Sequence, residues 1–275
     1  MQLLLARHLW GVDEAWEQAF PRFYAQGYRA IETGLPAAED RDRFRALLDH
    51  YGFAYIAQIF TAGSTVAQHL ESFRAQIASA ASLQPMLINS HSGRDSWSAD
   101  ACRQFFAEAL AIEAEYGISV AHETHRGRIL YTPWVTAELL NEFADLKLCC
   151  DYSHWVCVAE RLLDDQQAIF EQCAERCVHL HARVGYEEGP QVPDPRAPEY
   201  QRYLEAHEVW WRAIWQAQRA RGLQQTTLTP EFGPPGYLHT LPYTRQPVAD
   251  LAEICNWQAT RQAEQFVRWQ AESTR

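Results

Sequence analysis

Residues 177–183, Cys-Val-His-Leu-His-Ala-Arg, form the stretch on which the reading of this chain turns. Successive side chains of a β-strand point to opposite faces. Read as a strand, the segment places His179, His181 and Arg183 on one face and Val178, Leu180 and Ala182 on the other. Hydrophobes on one side suit a covering layer of helices. Three nitrogen-bearing side chains on the other need partners, and those partners must come from neighbouring strands.

Working outward, the same alternation of short apolar runs and amphipathic stretches continues almost from end to end. Strands are expected at Leu3–Leu9, Tyr28–Thr33, Ala54–Phe60, Met86–Ser90, Ile118–Glu123, Lys147–Asp151, Cys177–Arg183 and Thr226–Glu231. Helices are expected at Asp13–Gln26, Ala38–Tyr51, Thr65–Ser82, Ala99–Tyr116, Pro133–Phe143, Ala159–Ala174, Pro198–Arg221 and Val248–Gln270. Ser98 and Thr132 are good N-caps, and Gly27, Gly52, Gly117 and Gly222 stand where helices stop. Strand–helix units repeated along 275 residues predict one α/β domain spanning 1–275, a single (β/α)8 TIM barrel. A doubly wound open sheet is the alternative. No GxGxxG follows the first strand and no Walker motif is present, which weakens it.

The chain is 47% hydrophobic, enough for a large core, and carries a formal charge of -11. Such an acidic chain repels phosphate backbones, so nucleic-acid binding is not expected. The seven cysteines form no CxxC pair, which points to reduced thiols and a cytoplasmic home. The opening MQLLLARHLWG is too short in apolar residues for a signal-peptide core and reads as the first strand. No run approaches the ~20 apolar residues of a membrane helix, so no membrane partner is expected.

Active sites of barrels sit where strands end and loops begin. The fifth strand ends in AHETH, the sixth in CDYSH, the seventh in HLHAR and the eighth in TPEF. Glu123, Asp151, His181 and Glu231 thus close their strands on the inward parity. Three carboxylates and an imidazole converging in a low dielectric repel one another strongly unless a cation sits among them. One divalent metal ion, Mn, Mg, Co or Zn, supplies that charge, and no thiolate competes for it.

The set HETH, DYSH, HLHAR and TPEFG resembles the xylose-isomerase-like sugar isomerase/epimerase superfamily over nearly the whole chain. Ketose 3-epimerases, hydroxypyruvate isomerase, inosose dehydratase and endonuclease IV are other members. The resemblance implies that Glu123, Asp151, His181 and Glu231 hold one metal, and that Glu123 and Glu231 also move protons. It places His154, the histidine of Asp-x-x-His, against substrate or a second metal. The expected chemistry is isomerisation or epimerisation through a metal-stabilised enediolate, with one glutamate removing a proton and the other returning it. Arg183 is a candidate to steady the enediolate or to neutralise a carboxylate. With a β leaving group the same intermediate gives dehydration, so a dehydratase or lyase is the alternative. Sugars, polyols and keto-acids are the expected substrates, and a homodimer or homotetramer is implied by the resemblance alone.

Other strand-end residues are candidate substrate contacts: Glu32 and His91 for polar groups, Trp10 and Phe60 for stacking on a sugar face. His125 and Arg128 lie on the rim beyond the fifth strand. His179, deeper than His181, is expected as a hydrogen-bonded core histidine. His207, Trp210 and Trp211 are expected to pack or to form a subunit contact. Residues 186–197, YEEGPQVPDPRA, are irregular, and Gly189–Pro195 are expected to cover the mouth as a lid or to reach a neighbouring subunit. This segment lacks the later arginine that often binds substrate in epimerases.

An endonuclease-IV-like nuclease is less favoured, because Gln58 and Phe60 stand where a histidine ligand is needed and no Asp-x-His follows the seventh strand. A third reading is a barrel that binds a metabolite without turning it over.

Overall fold

The computed structural model describes residues 1–272. Strands β1 (Gln2–His8), β2 (Ala30–Gly34), β3 (Ala54–Phe60), β4 (Leu87–His91), β5 (Val120–Glu123), β6 (Leu148–Cys150), β7 (Cys177–His181) and β8 (Gln225–Thr229) pair in parallel, each with the next. Gln2–Leu5 of β1 pair with Gln225–Leu228 of β8, which closes the barrel. Helices α1 (Trp16–Ala25), α2 (Arg41–Tyr51), α3 (Val66–Ala81), α4 (Ala99–Tyr116), α5 (Pro133–Glu142), α6 (Ser153–Ala159), α7 (Gln167–Arg176), α8 (Gln201–Ala220) and α9 (Leu251–Glu272) complete a (β/α)8 TIM barrel. None of the described helices is long and apolar enough to cross a membrane.

Two cores follow from strand alternation. Outward residues such as Ile31, Leu180 and Leu228 meet the helices in one large cluster that includes Phe20, Phe73, Trp155 and Trp211. Inward residues Ala6, Ala30, Ile56, Leu87, Ala121 and Cys149 plug the barrel beneath its polar mouth. Small residues at four of these six positions keep that plug compatible with a narrow lumen. The expected caps are present: the Ser98 side chain accepts from Ala101 N and that of Thr132 from Val135 N.

Two expectations need correction. Strict alternation would point Val178 at the helices, but the register slips between Leu148↔Cys177 and Cys149↔His179. Val178 is the extra residue of this bulge, and it packs against the inner plug instead. The expected helix Ala159–Ala174 is continuous only from Gln167, as α7, and a separate short helix precedes it. The DYSH segment itself turns helical as α6, Glu160 then takes a left-handed conformation, and α7 begins after a 3₁₀ turn at Asp164–Gln166. Gly185 explains why α6 can tuck so closely under β7. A Cβ there would lie 2.7 Å from Ser153 Cα, so only glycine admits the contact.

Residues 186–197, expected as a lid or a reach to a neighbouring subunit, are tied into the barrel as a strap. Gly189–Val192 are buried, Val192 N donates to Val184 O at 2.9 Å, and Tyr186 bridges to Gly189. Gln191 exchanges two hydrogen bonds with the Gly233 backbone, 3.1 Å from Nε2 to Gly233 O and 2.6 Å from Gly233 N to Oε1. The strap therefore ties the loop after β7 to the loop after β8.

His207 on α8 anchors its base. Its Nδ1 donates to Tyr203 O at 2.8 Å and its Nε2 accepts from Gly185 N at 3.3 Å, a pattern that requires the neutral ring. Burial pushes its pKa down to about 4. The folded value lies below the unfolded one, so this contribution is fully present above about pH 6.5 and is lost as pH falls towards 4, about 3 kcal/mol in all. His207→Gln, which keeps an acceptor, should flatten the pH dependence of urea-unfolding free energy in that window. Parallel curves for wild type and variant would contradict this account.

Candidate metal and substrate site

The polar mouth is built on inward positions one layer above the plug. Glu123 ends β5, Asp151 follows β6, His181 ends β7 and Glu231 lies just beyond β8. Each of the four offers a ligand atom within 4.8 Å of those of the other three, and all four residues are buried. This contact across four strand ends follows from the parallel register, since each strand delivers its last inward side chain to the same level.

Each side chain is held by named partners. Glu123 Oε2 accepts from Asn89 Nδ2 at 2.7 Å and lies 2.8 Å from His91 Nε2. Asp151 Oδ1 accepts from the backbone and hydroxyl of Ser153, at 3.1 and 2.5 Å. Arg183 Nη2 donates to Asp151 Oδ2 at 2.5 Å and to Glu231 Oε2 at 2.6 Å, so one nitrogen bridges two strand ends. His181 Nε2 donates to Glu32 Oε1 at 2.9 Å, so Nδ1 is the nitrogen that the neutral ring offers to a cation; burial opposes a second proton, but Cys149, Glu231 and Glu32 outweigh it and raise the ring's pKa well above the usual value. That Nδ1 is 2.9 Å from Glu231 Oε2 but off the hydrogen-bond direction, and neither it nor Glu123 Oε1 makes a hydrogen bond among the described residues.

Those two orphaned atoms, together with the carboxylates of Asp151 and Glu231, fit a divalent cation. The donor set is three carboxylates and one imidazole, suited to Mn, Mg, Co or Zn. Charge balance supports the fit. Four buried carboxylates, Glu32, Glu123, Asp151 and Glu231, face one permanent cation, Arg183, and otherwise only the imidazoles of His91, His154, His179 and His181. Burial disfavours ionised Glu123, but His91 and His181 outweigh it and hold its carboxyl below the usual range. Burial likewise opposes ionised Glu231, and Arg183 with His181 brings its pKa down to about 2. Asp151 goes the other way: burial pushes it up, and repulsion from Glu231 and Glu123 adds to this against the pull of Arg183.

The mouth opens into a cleft of about 460 Å³ whose wall includes Trp10, Gln58, Phe60, His91, His125 and Arg128. Glu231 and Arg183 reach this wall too, whereas Glu123, Asp151 and His181 lie beneath it. Trp10 and Phe60 are each about two-fifths exposed, large faces turned to solvent at the rim. The six-membered ring of Trp10 lies against Gly233, where a Cβ would come within 2.2 Å of it, so the glycine is what lets the indole cross the rim. His91, His125 and His154 form a file, with ring centroids 4.7 and 3.8 Å apart. His154 is fully buried and its Nε2 accepts from Arg183 Nη2 at 3.2 Å.

Glu32, expected as a substrate contact, is placed elsewhere. It is fully buried under the mouth, where it takes hydrogen bonds from His179, His181, Thr229 and Asn89. It orients His181 and does not line the cleft. His179 is held between Glu32 and Thr227, as a core histidine would be.

Sequence reasoning passed over Tyr237. Its ring sits 5.0 Å from the Arg183 guanidinium and 5.2 Å from that of Arg126, with Trp10 edge-on at 4.9 Å. It comes from the segment after β8, where no spacing or strand parity marks it. Asn89, seen only as a strand end, proves to be the amide that spaces Glu32 from Glu123.

The sequence profile of the xylose isomerase-like TIM barrel family matches residues 22–190. Among curated proteins, no sequence match is found. Solved structures with the same fold include the probable 3-DHS dehydratase AsbF of Bacillus anthracis, at 14% identity and TM-score 0.58 over 85% of this chain and 94% of that one. Endonuclease IV of Thermus thermophilus aligns at 14% identity and TM-score 0.54, over 85% and 94%. A sugar phosphate isomerase/epimerase of Parabacteroides distasonis aligns at 11% identity and TM-score 0.54, over 89% of each chain. At such identities the likeness establishes the fold.

Removing the Arg183 charge should expose the repulsion it now offsets. Arg183→Met is expected to cost roughly 3–5 kcal/mol in metal-free urea unfolding. Added divalent metal should restore more stability to this variant than to wild type. An unchanged midpoint would show that the carboxylates are balanced by other means.

Proposed function

Because the chain belongs to the xylose isomerase-like TIM barrel family, we propose that it is a divalent-metal-dependent sugar isomerase or epimerase, with residues 1–275 acting as one barrel domain. The observation that carries this reading is the group Glu123, Asp151, His181 and Glu231, four donors within 4.8 Å at the floor of an open cleft. These four residues would hold the metal, which when bound polarises a substrate carbonyl and its neighbouring hydroxyl.

The chain's own groups do the rest. Glu231 stands on the cleft wall and is placed to take a proton from a carbon beside the carbonyl. Glu123 lies below His91, whose Nε2 is 2.8 Å from its Oε2, so a proton returns from the β5 side directly or through that imidazole. Arg183 Nη1 makes no hydrogen bond among the described residues and is the donor left over for the oxygen on which charge develops. Trp10, Phe60 and Tyr237 give the cleft apolar faces that suit the C–H face of a sugar and exclude water.

A dehydratase or lyase acting on a keto-sugar, polyol or keto-acid is the second reading, favoured by the fold shared with AsbF. The same proton abstraction serves it. Against a nuclease stand Gln58 and Phe60 at the end of β3 and the charge of -11. We place the enzyme in the cytoplasm, in carbohydrate metabolism, on the basis of its seven free cysteines and sugar-sized cleft. A homodimer or homotetramer acting on small molecules, without nucleic acid or membrane, completes the reading.

Elemental analysis after metal loading should give about one divalent ion per chain, lost in Glu231→Gln and in His181→Ala. Incubation with ketoses in deuterated water should then label the substrate carbon, and Glu123→Gln should slow that exchange by about 10²–10⁴-fold. Three zinc ions per chain would favour the nuclease instead. No metal under any loading would end the metal-dependent reading.

A further inference from the structure

We propose that the cleft takes a substrate bearing a carboxylate, and that Arg128 is the residue that pairs with it. This deepens the proton-transfer reading of the same cleft and rests on it for the position of the reacting carbons.

Arg128 lies in the turn after β5 and lines the cleft, half-buried. Its Nη1 donates to two neutral carbonyls, Thr61 O at 3.1 Å and Gly93 O at 3.3 Å. Those bonds fix the plane of the guanidinium but do not neutralise it. Among the described residues Nε and Nη2 make no hydrogen bond, and no carboxylate lies within ion-pair distance. Glu123 and Asp95 attract it from farther off and Arg94 repels it; burial, then Arg94, lowers its pKa below the usual arginine value.

The other guanidinium on the cleft wall is in the opposite condition. Arg183 has its charge offset by Asp151 and Glu231 and keeps only Nη1 as a spare donor, so it attracts an incoming carboxylate less than an unpaired guanidinium does. The mouth is therefore two-ended. The ends of β5–β8 carry the acidic group, while Thr33 and Gln58 of β2 and β3, with the unpaired Arg128 reaching across from the turn after β5 to the loops after β3 and β4, line the rest of the wall. The Gln58 amide and Thr33 hydroxyl also make no side-chain hydrogen bond among the described residues, which leaves them for substrate hydroxyls.

A partly desolvated cation without a counter-ion is costly to maintain, and an anionic ligand group removes that cost. The free edge, Nε with Nη2, is a planar fork of N–H donors matching the two oxygens of a carboxylate. A phosphate dianion calls for more positive charge, and no second unpaired guanidinium lines the cleft. The substrate class is thus a keto-acid sugar, held by its carboxylate at Arg128 with its carbonyl end towards Glu231.

Calorimetric titration with D-fructuronate, D-fructose and D-fructose 6-phosphate tests this on the metal-loaded full chain. Wild type should bind fructuronate more tightly than fructose, by roughly 10- to 100-fold, the worth of a charge-assisted pair. Arg128→Gln should abolish that preference without weakening fructose, and Arg128→Lys should keep part of it. Thermal melts of both variants check that the Thr61 and Gly93 loops stay folded. Equal affinities, no binding of fructuronate, tightest binding of the phosphate, or a loss shared by fructose would overturn the proposal. Metal content and deuterium exchange are read separately. Carboxylate preference without exchange would overturn the proton-transfer reading and leave the anion subsite standing.

Discussion

Arg183 Nη2 touches two carboxylates that come from different strand ends, Asp151 and Glu231. Nearly everything else at the mouth is arranged around the negative charge that this one nitrogen offsets in part. Ser153 fixes the other oxygen of Asp151, His181 stands against Glu231, and Asn89 separates Glu123 from Glu32. The arrangement is tolerable in a buried space only while each anion keeps a donor, since an unpaired buried charge costs several kcal/mol. It also explains why the strap is so well secured. Gln191, buried against Gly233, joins the loop carrying Arg183 to the loop carrying Glu231.

The fold and the four converging donors were legible because both depend on period-two alternation in parallel strands. Once eight strands are recognised, the last inward residue of each is known, and Glu123, Asp151, His181 and Glu231 fall out of that parity. What alternation could not show was its own interruption. Val178 turns inward because β7 carries one residue more than β6 at that level, and a bulge leaves no mark in the order of apolar and polar residues. Nor could parity separate depth from direction. Glu32 faces inward as expected, yet one layer of side chains lies between it and the cleft, and its four partners come from strands far away in sequence. Tyr237 was hidden for a different reason: it belongs to an irregular, proline-rich segment whose path is set by tertiary contacts with Trp10 and two arginines.

The shared barrel and the differing rim divide the labour of this architecture. The plug and the helix layer are apolar and would serve any chemistry, while the identity of the reaction lies in side chains at the strand ends and in the loops beyond them. Structures with dehydratase, nuclease and isomerase/epimerase descriptions superpose on this chain for that reason. The rim of this chain carries Arg183 two residues after His181, the buried strap, and a file of three histidines leading from the cleft wall to Arg183.

Pairing of β1 with β8 has a consequence for how the molecule is made. Leu3 and Leu5 find their neighbours in Thr226 and Leu228, nearly a full chain length away. During vectorial synthesis the first strand is released early, with one edge satisfied by β2 and the other bare until the last strand emerges. Closure therefore carries the largest loop-entropy cost of any strand pairing in the barrel and comes after the others. The acidic mouth reaches its final geometry only at that step, because Glu231 arrives with β8. Until then Asp151 and Arg183 can pair through neighbouring β6 and β7, whereas the second half of the bridge waits for the ring to shut.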